Sequence, residues 1–165
     1  MRVRLEPATS NDVGDLVAMH NTSSRDLTDR FGKGPWTGQT TDKGVLFRMT
    51  RGTIFVARRR KKLIAALTLS TRKPWAIDRK YFTACERPLY LTGMLVEPSL
   101  QRTGIGKLCV AEARRIAADW PADSICLDAW DGNAGAGEFY RKCGFREVGR
   151  ATYRTAPLIY FEMLV

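Results

Sequence analysis

The 165-residue sequence has one histidine, His20, and four cysteines, Cys85, Cys109, Cys126 and Cys143, with no CxxC pair among them. Metal centres draw on clustered His and Cys ligands, so no metal site is expected, and one histidine far from every cysteine disfavours a Cys/His nucleophilic pair. The thiols stand among small or apolar neighbours, as reduced, buried cysteines do, and His20 reads as an ordinary helix residue. No apolar run reaches the roughly 18 residues that span a bilayer. The opening "MRVRLEPATSNDVGDL" lacks the apolar core of a signal peptide and reads as part of the fold. A cytoplasmic protein without membrane contact is the expectation.

Acidic residues are also scarce: 17 Asp and Glu face 27 Lys and Arg, for a net charge of +10. Such a balance serves nucleic acid, a membrane surface or a small polyanion. The densest run, "ARRRKKL" at 57–63, lies between two strand-like stretches and has no interleaved aromatics. It reads as a solvated hairpin tip, so no nucleic-acid partner is expected. With 44% hydrophobic and 27% charged residues, the composition is that of a globular chain of one-domain size.

Periodicity gives the element order. "MRVRLEP" alternates as a first strand. A helix capped by Ser10 or Asn11 follows to about Asn21, with Val13, Leu16, Val17 and His20 at helical spacing. "TDRFGKGPWTGQTT" reads as a loop and "GVLFRMTR" closes a second helix. "TIFVARR" and "KLIAALTLS" form a hairpin, and "TRKPWAIDRKYFTACERP" has no assignable pattern. "LYLTGMLVEP" is a strand whose central Gly93 implies a bulge or a close backbone approach. A helix from Ile105 is stopped by Pro121, "SICLDAW" is a strand, "AGAGEFYRKCGF" a short helix, and "EVGRATYR" and "PLIYFEML" a closing hairpin. Alternating βα units between terminal hairpins predict a mixed α/β sheet.

The stretch "SLQRTGIGKLC" carries the clearest chemistry. It lacks the GK[ST] ending of a P-loop, and Cys109 stands where a dinucleotide fingerprint needs its third glycine. Successive amides from Arg102 to Gly106 nevertheless open a helix, where unpaired N–H groups and the helix dipole favour anions. Glycines let the backbone approach the ligand closely, and Arg102 and Lys107 add charge.

"LVEPSLQRTGIGKLCVAEA" resembles the GNAT superfamily of acyl-CoA-dependent N-acyltransferases, whose signature is Q/R-x-x-G-x-G/A after a strand; Gln101, Gly104 and Gly106 match it. "LDAWDGNAGAGEFYRKCGFREVG" is similar to the family's second signature at Asn133, Tyr140, Gly144 and Phe145. The resemblance implies a single N-acetyltransferase domain over 1–165. Its fold would be a mostly antiparallel sheet of about seven strands with four helices, strands four and five parallel and splayed.

It also implies acetyl-CoA as co-substrate, with its pyrophosphate on Gln101, Arg102, Thr103, Gly104, Ile105, Gly106 and Lys107. The pantetheine would lie where strands four and five part, the amide of Leu95 or Val96 would face the thioester carbonyl, and Asn133 would contact the cofactor arm. Tyr140 occupies the family position for a general acid near the sulfur. Asp128, at a strand position where some members carry a carboxylate, is one candidate base and Glu97 the other; partial burial would raise the Asp128 pKa toward that role. Phe31, Trp36 and Trp75 fall in segments that build the acceptor pocket. The expected reaction is acetyl transfer to a primary amine of a small molecule or peptide; the acceptor is not specified, and a homodimer is compatible. A non-catalytic acetyl-CoA-binding regulatory domain and a basic nucleic-acid-binding module are the alternatives.

Overall fold

A computed structural model describes all 165 residues. In chain order the elements are β1 (Leu5–Pro7), α1 (Val13–Phe31), α2 (Asp42–Arg51), β2 (Thr53–Arg59), β3 (Lys62–Ser70) and β4 (Pro88–Val96). They continue with α3 (Ile105–Asp119), β5 (Ser124–Trp130), α4 (Gly137–Lys142), β6 (Arg146–Tyr153) and β7 (Ala156–Leu164). The strands form a seven-stranded mixed sheet ordered β1-β2-β3-β4-β5-β7-β6. The chain divides into two compact units, Met1–Leu69 with Thr92–Ala113 and Ser70–Leu91 with Arg114–Val165.

In the first unit, Thr9 and Asp12 form a reciprocal capping box at the turn that leads into α1. Asp12 is buried, and burial alone would raise its pKa; the Thr9 amide and the Arg58 guanidinium that donates to it hold it below the usual carboxylate range instead. Helix α1 runs ten residues beyond the Asn21 expected from sequence, to Phe31. The reason is a polar seam. Asn21, Ser24 and Thr28, at helical spacing, bind the loop that follows. Asn21 pairs both ways with Thr40, Ser24 Oγ donates to the Trp36 carbonyl at 2.6 Å, and Thr28 Oγ1 meets Thr37 Oγ1 at 3.1 Å. The apolar faces of the two helices pack Val13, Leu16, Met19 and Val45 on Ile54, Val56, Leu63 and Ala66 of the sheet. Fully burying each large side chain here contributes roughly 1.5–3 kcal/mol. The basic run is the β2–β3 turn: Arg60 (φ 48°) and Lys61 (φ 69°) are both left-handed, as a two-residue hairpin turn requires.

In the second unit β4 pairs with β5 in parallel at only three positions, Pro88↔Ser124, Leu89↔Ile125 and Tyr90↔Cys126. The antiparallel β5–β7 ladder is longer and puts Asp128 opposite Tyr160 and Leu127 opposite Phe161. The segment 76–83, unassigned from sequence, packs Ile77 and Phe82 against Tyr90, Cys126 and Tyr160. It is latched by Glu162, whose buried carboxylate accepts from the Thr83 amide and hydroxyl and from Arg146.

Candidate active site

The end of β4 and the start of α3 are joined by the glycine-spaced turn in the first unit. Leu95 packs against the core, and Gly93, within the strand, has φ +59°, a conformation that an L side chain resists. The turn after it is held by its own polar groups. Gln101 Nε2 donates to the Val96 carbonyl at 3.3 Å and Thr103 Oγ1 to the Leu100 carbonyl at 2.6 Å. Residues 101–104 are exposed, Arg102 has φ +62° and Gly104 φ +91°, and a side chain at Gly104 would enter open space. The first hydrogen bond of α3 runs from the Leu108 amide to the Gly104 carbonyl at 3.1 Å. The amides of Ile105, Gly106 and Lys107 therefore open the helix without partners inside it, with the positive end of the dipole behind them. Glu97, just past β4, is engaged: Lys62 Nζ lies 3.7 Å from its carboxylate and its amide donates to Ile64.

The second unit holds Tyr140 and Asp128. The Tyr140 ring is buried on the short helix α4 and held by Phe139, Phe145 and Phe161, with centroids 5.2, 5.5 and 6.0 Å away. Its hydroxyl makes no hydrogen bond to another protein group. Burial, and then the Asp128 and Cys143 charges, push the phenol well above its ordinary pKa, so it holds its proton at neutral pH. Asp128, mid-strand on β5, is partly buried with no salt bridge, and desolvation raises its carboxyl pKa. The Asp128 charge is felt by both Tyr140 and Tyr160. Asn133 lies exposed in the turn before α4.

Beside Tyr160 opens a cleft of about 590 Å³ whose walls include Trp75, Arg79, Lys80, Tyr81 and Tyr153. Trp75, 84% exposed, is the one sequence-predicted acceptor residue on this cleft. The other two sit elsewhere. Trp36 covers Gly34 and donates from its indole nitrogen to the Gly32 carbonyl at 2.9 Å, while Phe31 carries Arg30 over its ring. Tyr153, Tyr160 and Arg79 escaped the sequence reading. Tyr160 looks like any alternating residue of a hydrophobic strand, and Arg79 lies in the stretch without a pattern.

The sequence matches the model of the acetyltransferase (GNAT) family over residues 16–145. The chain belongs to that family. No curated protein matches this GNAT sequence. Solved structures resemble it at low identity. The aminoglycoside acetyltransferase AAC(6')-Ib in complex with coenzyme A superposes with a TM-score of 0.77 at 18% identity, over 98% of this chain and 94% of that one. A ribosomal-protein-alanine N-acetyltransferase from Brucella melitensis gives 0.73 at 17% identity, over 98% and 99%. The PaiA N-acetyltransferase from Thermoplasma acidophilum, also with coenzyme A, gives 0.73 at 14%, over 97% and 98%. At these identities the likeness is one of fold. No helix of this GNAT protein is long and apolar enough to cross a membrane.

Proposed function

We propose that this GNAT protein is an N-acetyltransferase that moves an acetyl group from acetyl-CoA to a primary amine by direct attack in a ternary complex. The cofactor supplies the activated acetyl group as a thioester. The amides at the start of α3, with Arg102 and Lys107, bind its pyrophosphate, and the exposed turn around Gly104 fits that use because nothing of the protein fills the space in front of it. The amide of Leu95 or Val96 faces the acyl oxygen, and Asn133 contacts the cofactor arm. Two residues of the second unit move protons. Asp128, with its raised pKa, takes the proton that an ammonium must lose before its nitrogen attacks. Tyr140 gives its proton to the departing sulfur. Glu97 is the second candidate base, with its carboxylate already in an ion pair with Lys62. The cleft lined by Trp75, Tyr81, Tyr153 and Tyr160 receives the amine.

One observation carries this reading over a purely regulatory acetyl-CoA-binding domain. Three aromatic rings fix the Tyr140 ring, while no protein group hydrogen-bonds its hydroxyl, which leaves it free to give its proton to the sulfur. Release of free thiol from acetyl-CoA, followed across a panel of amines, amino acids and peptides, tests it. Turnover with any amine supports an enzyme. Thermal stabilisation by acetyl-CoA without turnover on any member would favour the regulatory alternative.

A further inference from the structure

Two of the four cysteines share both of their polar neighbours. Arg79 Nη2 lies 3.7 Å from Cys85 Sγ and Arg79 Nη1 3.7 Å from Cys126 Sγ. Ser124 Oγ lies 3.2 Å from the first sulfur and 3.6 Å from the second. With both sulfurs against one hydroxyl oxygen, they are no more than about 7 Å apart, a separation that movement of one loop can close to the ~2.05 Å of a disulfide. The two partners differ in access. Cys126 is fully buried in mid-strand, whereas Cys85 is partly exposed in a loop outside every ladder. That loop is anchored just beyond Cys85, where the amides of Glu86 and Arg87 donate to Asp123 at 3.1 and 2.9 Å. Burial pushes the Cys126 thiol up and the Arg79 guanidinium beside it works against that rise; the thiolate is the form that reacts. Two sulfurs fall short of a metal centre, and no group of three or more metal-ligating side chains exists in the protein.

We propose that Cys85 and Cys126 are a reversible oxidation site, in which hydrogen peroxide oxidises Cys85 and Cys126 closes the disulfide. The Cys85 thiolate attacks the peroxide, forming an S–O bond as the O–O bond breaks, and the departing oxygen leaves as water. The Cys126 thiolate then attacks the Cys85 sulfur. The S–S bond forms, the S–O bond breaks and a second water leaves. Two thiols and one peroxide thus give one disulfide and two waters, and a dithiol reverses the change. Oxidation removes both sulfur acceptors of Arg79, a wall residue of the cleft beside Tyr160, so the modification bears on that cleft whatever the cleft binds.

The test uses the full chain, reduced, desalted and exposed to a small excess of hydrogen peroxide. Free thiols should fall from four to two, the intact mass should drop by about 2 Da, and a digest without reductant should contain the Cys85 and Cys126 peptides joined. Dithiothreitol should restore all four thiols. Cys85→Ser and Cys126→Ser should each abolish the joined peptide, and Arg79→Gln should slow its appearance about tenfold, with circular dichroism confirming the fold of each variant. Cys109 and Cys143 are internal controls. Burial and the nearby Glu112 push the Cys109 thiol up to about 11, so it should stay reduced. Oxidation of Cys85 to a sulfinic acid without a link, a link between any other pair, or no loss of thiols under excess peroxide would each overturn the proposal.

Discussion

Replacing Tyr140 with phenylalanine deletes one oxygen and leaves the ring. The contacts with Phe139, Phe145 and Phe161 are ring contacts and survive. Loss of a structural hydrogen bond typically lowers stability by about 1 kcal/mol, but this hydroxyl has no such bond to lose, so the melting temperature should hold or rise slightly. If the hydroxyl protonates the leaving sulfur, the interaction belongs to the transition state and its loss should appear in kcat. Turnover should fall by roughly 10–10³-fold, equivalent to about 1.4–4 kcal/mol of barrier. Affinity for acetyl-CoA should change by no more than a few-fold. Steady-state thiol release, a binding titration and a thermal melt on this one variant decide the matter. Unchanged kcat would refute the general-acid role. A lower melting temperature with turnover intact would show that the hydroxyl is structural after all.

Three further outcomes follow from the geometry. Acetyl-CoA at a hundredfold excess over Kd should stabilise the protein by about 2.7 kcal/mol in a thermal melt, and Gly104→Glu should abolish the gain by placing bulk and charge where the pyrophosphate approaches. Gly104→Ala, which carries the same penalty of roughly 1–2 kcal/mol for a side chain at φ +91°, should keep a larger share of it. Asp128→Asn should lower kcat/KM by about 10²–10⁴-fold at neutral pH. Because burial raises the Asp128 pKa, ionisation costs folding stability as pH climbs through that raised value; the asparagine variant should melt higher than the parent at pH 8, and the difference should vanish below about pH 4. Last, Arg60→Asn with Lys61→Gly removes two charges in residues suited to the left-handed turn, so acetyl transfer and melting temperature should both be preserved. A large loss of activity there would mean that the basic tip binds an acidic substrate or partner.

The sheet was readable from residue patterns because β2, β3, β5 and β7 are hydrophobic runs with clear turn signals, and glycines mark the turn before α3. The second half of α1 was not readable. "NTSSRDLTDRF" is rich in Ser, Thr and Asp, residues that compete with helical backbone bonds and favour caps and turns. What keeps it helical is tertiary: Asn21, Ser24 and Thr28 spend their side chains on a loop up to 19 residues away. No local pattern announces such a seam. The same limit applies to the cleft. Trp75 stood out as an isolated aromatic, but Tyr160 becomes a wall residue only because its hydroxyl donates to the Ala76 carbonyl, 84 residues back in the chain.

Asp128 and Glu97 illustrate how a structure separates candidates that a sequence leaves level. Asp128 lies within β5 and Glu97 just past the end of β4, each with apolar neighbours in sequence. Their surroundings differ in one respect that matters for proton transfer. Glu97 has a cation as its partner, with Lys62 Nζ 3.7 Å from its carboxylate. Asp128 has no cation beside it, and its burial works the other way, making the charged form costly and the proton welcome. Burial, and after it the Asp128 charge, raises the Tyr140 phenol as well, so that in the proposed roles the carboxylate accepts a proton more readily while the phenol retains the one it gives. Both shifts run upward and both begin with burial, and the Asp128 charge adds to the rise at Tyr140, which couples the proposed base to the proposed acid.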